Sequence, residues 1–245
     1  MVDQQKKNRL FIIAIFALSI IPVLGAWFLY LHPAWFSAQT NYGQLVTPAI
    51  PSEYDDYLGF DAFSEQNLAE LKRHWLLVNV INKTSCSAQC LDAILKTRQI
   101  RLMLNKDLSR TRRVVLITES LPEQSAQQLW LKDSVLWRLR QAEHGGDQAL
   151  LQQLLNPDQS VDEALLTRLQ VSPNELNAPT TDLIRVKPSS KLMNSMSTLL
   201  NAQQQDGLLL LIDPVGNIMM TYPAGFDPYK VKNDLMHLLR ISQIG

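Results

Sequence analysis

From Leu10 to Leu31 the chain reads LFIIAIFALSIIPVLGAWFLYL without a single charged residue. As a helix rising 1.5 Å per residue this run extends about 33 Å, against a hydrocarbon core of roughly 30 Å. A stretch of this length and composition predicts a membrane-spanning helix, in which Pro22 is tolerated as a kink. Lys6, Lys7 and Arg9 precede the run, and no Lys or Arg occurs from His32 to Leu71. The positive-inside rule then places residues 1–9 in the cytoplasm and residues 32–245 on the other side. Trp27, Tyr30 and Trp35 stand where an interfacial aromatic belt belongs. A cleaved signal peptide is the alternative, but its apolar core is usually about 7–15 residues long and ends at a small-x-small site. Here a cut after Ala26 leaves Leu24 at the −3 position, and a cut after Ala38 leaves Phe36. No later run is long enough to span, so the expectation is a single-pass protein with residues 10–31 as its anchor.

Charge and composition narrow what lies beyond the anchor. Lys+Arg and Asp+Glu are 23 each, so the formal net charge is zero, which argues against a nucleic-acid binder held by electrostatics. Hydrophobic residues at 46% argue against a disordered polymer. Two cysteines are too few for a disulfide-stapled mini-protein or a four-thiolate zinc site.

Trp75 to Ile81 (WLLVNVI) is an apolar, β-branched run, the pattern of a strand buried on both faces. Gln89 to Asn105 predicts a helix with Leu91, Ile94, Leu95 and Leu102 on one face. Arg113 to Thr118 predicts a second buried strand, so the succession reads as a right-handed parallel βαβ unit. Leu208–Ile212 and Ile218–Tyr222 flank the turn Asp213-Pro214-Val215-Gly216-Asn217 and predict a hairpin. Asp227 caps a last helix with Pro228 at its first position. This β-α-β then β-β-α order is that of a thioredoxin-like α/β core. Between them, at about 119–206, lies an insertion expected to be mainly helical: Ser125–Gln141, Gln148–Leu155, and Ser160–Gln170 with Ser160 as its cap. Before the first strand, Pro48 and Pro51 limit residues 41–60 to short extended pieces.

Both cysteines, Cys86 and Cys90, fall between the first strand and its helix, in Thr84-Ser85-Cys86-Ser87-Ala88-Gln89-Cys90. A helix N-terminus offers unpaired N–H groups and a positive dipole end, which favour a thiolate. The carboxyl edge of a parallel sheet is also where open α/β folds place ligands. The pair could exchange thiols and disulfide, hold a soft ion such as Cu(I), or form a purely structural disulfide.

The pattern W-L-L-V-N-V-I followed by T-S-C-S-A-Q-C-L, with D-P-V-G-N and a closing strand and helix, resembles the Sco-type copper chaperones. It is similar also to bacterial thioredoxin-like membrane proteins associated with cytochrome oxidase. The resemblance covers the anchor and about residues 42–118 and 207–240. It implies a membrane-tethered thioredoxin-like factor in cytochrome c oxidase biogenesis, in the bacterial inner membrane with its domain in the periplasm. It also implies oxidase subunits or assembly factors as partners. It makes Cys86 and Cys90 the catalytic pair, or the ligands of transient Cu(I), the one cofactor implied. A non-catalytic scaffold with a structural disulfide is the alternative. In Sco-type proteins a distant histidine completes the copper site; here Gln205 stands near that position. Leu91 replaces the proline that usually follows the second cysteine, and no proline closely precedes Leu208.

Other candidates for the missing ligand are His74, about 23 Å from Cys86 along an extended strand, His144 in the insertion, His237 on the last helix and His32 at the membrane interface. Met219 and Met220 lie on the hairpin, one of them expected in the core. Lys96, Arg98, Arg101, Lys106, Arg110, Arg112 and Arg113 form a basic stretch, read as a solvated helix face and loop.

Overall fold

The computed structural model describes residues 2–32, 41–141, 148–168, 182–202 and 206–242. The chain divides into two units, 1–40 and 41–245.

The first unit is helix α1, Val2–Leu31. Its segment Phe11–Leu31 is long and apolar enough to cross a membrane. Phe11, Leu18, Trp27 and Tyr30 leave most of their side-chain surface uncovered, which a helix surrounded by lipid can do at no hydrophobic cost.

The second unit is built on a mixed sheet of seven strands. In chain order its elements are β1 Gln44–Pro51, β2 Tyr57–Gly59, α2 Ala62–Asn67, β3 Trp75–Ile81, α3 Ala88–Met103 and β4 Thr111–Ile117. Then come α4 Glu123–Gln141, α5 Gln148–Leu154, α6 Glu163–Arg168, β5 Leu183–Pro188, α7 Ser190–Ala202, β6 Leu209–Ile212, β7 Asn217–Tyr222 and α8 Pro228–Ile241. The sheet order is β1-β7-β6-β3-β4-β5-β2. β3 pairs with β4 in parallel, β4 with β5 in parallel, and β3 with β6 antiparallel. The expected β-α-β and β-β-α halves therefore share one thioredoxin-like sheet, with β3 at its centre.

β3 is buried along its whole length because its two faces serve two layers. Leu76, Val78 and Val80 pack with Leu192, Met196 and Leu200 of α7. On the other face Trp75 and Leu77 pack with Ala93 and Ile100 of α3 and with Val231 and Leu235 of α8. The helix caps are local chemistry. Asp227 accepts from the Tyr229 amide at 2.8 Å, and Pro228 occupies the position where an amide would go unused. On α8, the Asp234 carboxylate accepts the Gly43 amide at 2.8 Å and so ties the chain entering β1 to the last helix.

Two readings are refined and two change. The 119–206 stretch is not only helical, because it also supplies β5, which extends the parallel part of the sheet, and α7, which covers one face. The residue capping α6 is Asp162, whose Oδ1 accepts the Leu165 amide at 2.7 Å, rather than Ser160. Residues 41–60 form edge strands at both ends of the sheet: β1 beside β7, its register shifting between Leu45 and Ile50, and β2 beside β5.

The fourth concerns the basic stretch, which is not a solvated face. Arg113 is completely buried. It meets Asp133 of α4 at 3.1 Å and Asp182 at 2.8 Å, while Arg101 meets Asp182 at 3.2 Å and Arg98 pairs with Asp133. Burial alone would lower the Arg113 guanidinium; Asp133 and Asp182 outweigh it and hold the proton more firmly than usual.

Candidate functional site

The site begins where β3 ends. The chain leaves the sheet at Ile81, runs through a loop, and re-enters regular structure at α3, whose N-cap is Ser87. Ser87 Oγ accepts the Cys90 amide at 3.3 Å, which satisfies one of the donors that a helix start leaves open. This turn brings the Cα atoms of Cys86 and Cys90 to 5.3 Å, and the two sulfurs are joined in a disulfide.

The two cysteines are not equivalent. Cys90 is 1% exposed and packs among Ile81, Leu91, Ile94 and Val115. Cys86 is only partly buried. It lies at the wall of a cleft of about 450 Å³, between the start of α3 and the insertion. Leu91, Leu121 and Leu129 give the cleft an apolar floor; Gln124, Gln128 and Lys132 of α4 line one side, and residues 157–160 the other.

The insertion wall is held by polar contacts, not by apolar packing alone. Lys132, 4% exposed, donates from Nζ to the carbonyls of Asn156 at 2.8 Å and Pro157 at 3.1 Å. Burial lowers its affinity for the proton, and the charge of Asp158 works in the opposite direction. Gln128 Oε1 accepts the Val161 amide at 2.9 Å. The Arg113–Asp133 pair fixes α4 against the sheet.

A loop distant in sequence completes the site. Asp206, 5% exposed, accepts the Ser87 amide on Oδ2 at 2.8 Å. Gly207 has φ +94° and lies directly against the helix start; a Cβ built there would come within 2.9 Å of the Gln89 carbonyl oxygen and 3.3 Å of Cys90 Cα. Only glycine suits this combination of backbone angle and close approach. Neither residue belongs to a motif in the sequence; their one local signal is an Asp-Gly pair immediately before an apolar strand.

Of the remaining candidates, His74, His237, Met219 and Met220 are not among the residues that line the cleft at Cys86. His74 precedes β3, at the end of the strand away from Cys86, where Nδ1 lies 2.7 Å from the Lys72 carbonyl oxygen. Burial, and then the neighbouring Arg112, lower its proton affinity below that of an ordinary histidine. His237 is exposed on α8, and on β7 Met220 is buried and Met219 is partly covered. His32 follows α1 in the other unit. His144 and Gln205 lie outside the described residues.

Among the described residues no third side chain joins Cys86 and Cys90 as a copper ligand. The two sulfurs are bonded to each other, Gly207 leaves no space for a side chain against Cys90, and no group of three His, Cys, Asp or Glu side chains among the described residues could hold a metal ion. What the arrangement can do is open and close a disulfide of which one sulfur is reachable and the other sheltered.

A family model described as "transmembrane-like, thioredoxin-like, C-terminal domain" matches residues 75–155 and 158–242, more than half of the chain. No curated protein and no solved structure matches it.

Proposed function

We propose that this chain, which belongs to the transmembrane-like, thioredoxin-like C-terminal domain family, is a membrane-anchored thiol–disulfide exchange factor acting through Cys86 and Cys90. The observation that carries the reading is the asymmetry of the pair, with Cys86 lining an open cleft and Cys90 buried behind it.

Exchange follows from that asymmetry. A partner's thiolate attacks Cys86 Sγ, the sulfur it can reach; the Cys86–Cys90 bond breaks, and its electron pair leaves on Cys90 Sγ, which takes up a proton. A second thiolate of the partner attacks the partner's own sulfur in the mixed disulfide, and Cys86 Sγ leaves as the thiolate. The partner's dithiol has become a disulfide, and the chain's disulfide a dithiol. The reverse reaction runs through the same mixed disulfide, with Cys86 as nucleophile and Cys90 resolving.

The cationic residues ahead of the apolar helix support a domain outside the cytoplasm, where disulfides persist; in a bacterium this is the periplasmic side of the inner membrane. The resemblance to Sco-type proteins supports a partner in cytochrome c oxidase assembly.

The test uses the full chain in detergent, a disulfide-bonded peptide and an excess of a small dithiol. The chain is expected to accelerate reduction of the peptide above the rate of the dithiol alone, and Cys86→Ser to abolish the acceleration. Equal rates with wild type, with Cys86→Ser and without protein would show that the disulfide is structural only.

A further inference from the structure

Asp206 is the one carboxylate described at the start of α3, and its surroundings are unusual. Oδ2 takes the Ser87 amide, on the peptide that links Ser87 to Cys86. Oδ1 is buried and has no hydrogen-bond partner among the described residues. Among those residues no cation pairs with the carboxylate. A negative charge on a carboxylate held this way would be weakly screened and would act on a group that ionises beside it.

What ionises beside it is the cysteine pair. A helix start normally favours a thiolate, because its free amides and dipole supply positive potential. Here one of those amides is already spent on the Asp206 carboxyl group. We infer that Asp206 makes the Cys86–Cys90 pair an electron donor: its buried carboxylate occupies the N-terminal end of α3 and opposes the thiolate that the helix end alone would favour.

The other charges around the pair do not cancel this effect. Lys83, in the loop before Cys86, is exposed to water, where its charge is screened. Lys132 of α4 lines the cleft, but its ammonium is committed to the carbonyls of Asn156 and Pro157 and faces Asp158 on the opposite wall. On α3 itself, Asp92 and Lys96 pair with each other at 2.7 Å. The β6 residues that follow Gly207 are apolar and buried.

Direction follows from the sign. Stabilising the reduced form makes a disulfide a strong oxidant, and withholding that stabilisation makes the dithiol the better reductant. In the donor direction Cys86 thiolate attacks a partner's disulfide and displaces one partner thiolate. Cys90 then loses its proton and attacks Cys86 Sγ, which frees the second partner thiolate and restores the chain's disulfide. Two electrons pass to the partner, so a second, upstream dithiol must return the chain to its reduced form. The reaction class that supplies this protein is therefore dithiol oxidation, and the class it serves is reduction of a protein disulfide. The inference rests on the exchange reading above.

Its test is thiolate titration of the reduced full chain in detergent, followed by ultraviolet absorbance and by the rate of alkylation. In the wild type the more acidic thiol is expected to ionise at or above the free-cysteine value of about 8.5. In Asp206→Asn, which keeps an oxygen for the Ser87 amide but removes the charge, alkylation at neutral pH is expected to be about tenfold faster. Reduction of the disulfide by dithiothreitol, measured above the ionisation point, is expected to be more favourable in that variant by a similar factor. A wild-type thiol that ionises well below 8.5 overturns the inference even if the variant does not fold, and so does a variant whose thiols are no more acidic than the wild type's. A chain that fails to reduce any disulfide peptide, yet shows the expected titration, overturns the exchange reading and the donor direction with it, and leaves only the opposition of Asp206 to the thiolate standing.

Discussion

The Arg113 guanidinium, fully buried on β4, meets the Asp133 carboxylate of α4 at 3.1 Å. This pair joins the sheet that carries the disulfide to the helix that forms the far wall of its cleft. Arg113 Nη2 also donates to the Ile94 carbonyl of α3 at 2.9 Å, so one side chain connects three elements of the site.

Arg113→Met should remove the central cation of the buried cluster and leave Asp133 to Arg98 and Asp182 to Arg101. Breaking a buried pair by removing one member costs about 3–5 kcal/mol, whereas replacing both members by apolar groups is often close to neutral. Urea unfolding should show a loss of that order for Arg113→Met, and Arg113→Met with Asp133→Leu should recover part of it. A single variant as stable as the wild type would remove the pair from the account.

Acid should act through the same cluster. Burial alone would raise the Asp182 carboxyl, but Arg113 and then Arg98 and Arg101 outweigh it and hold it below the usual aspartate value. A carboxylate lowered on folding contributes stability that is complete above its unfolded value, about 4, and is lost as pH falls through the folded value. The urea midpoint of the wild type should therefore be level from pH 7 to about 5 and fall below about 4. In Arg113→Met this acid-dependent part should be smaller, because the largest lowering charge is gone.

Gly207→Ala should be costly although it adds one methyl group. The methyl would lie 2.9 Å from the Gln89 carbonyl oxygen, on a backbone with φ +94°. Strain of this kind costs roughly 1–3 kcal/mol. The variant should also loosen the start of α3, seen as faster alkylation of Cys90 once the disulfide is reduced. Unchanged stability and unchanged alkylation would show that the 206–207 loop does not clamp the helix.

The contrast between what the residues announced and what they concealed follows from the range of the interactions. β3, α3, β4, the β6–β7 hairpin and α8 were legible because their signals are local, in apolar runs and in the Asp227-Pro228 cap. β5 was hidden because Leu183–Pro188 carries Arg185 and Lys187 and reads as polar, although Arg185 is buried against Asp61 and Ser64. The basic stretch misled for the same reason: Arg98, Arg101 and Arg113 look solvated but pair with Asp133 and Asp182, both distant in sequence. Cys86 and Cys90 stood out by their place between strand and helix. Asp206 did not, since its hydrogen bond to Ser87 spans 119 residues.

Membrane topology has its own check. A reporter fused after Gly245 that is active only outside the cytoplasm should be active, and one active only inside should not, given Lys6, Lys7 and Arg9 on the other flank of the apolar helix. The reverse result would place the disulfide in a reducing compartment and contradict the proposed orientation.

The most direct measurement of the central claim is trapping. Cys90→Ser removes the resolving sulfur and leaves Cys86 as the only thiol of the chain. Mixed with a disulfide-bonded peptide, quenched in acid and weighed by mass spectrometry, this variant should carry one peptide linked at Cys86. The wild type, reduced first, should release the peptide and return to the Cys86–Cys90 disulfide. No adduct on Cys86 under conditions where a free cysteine peptide reacts would contradict the account.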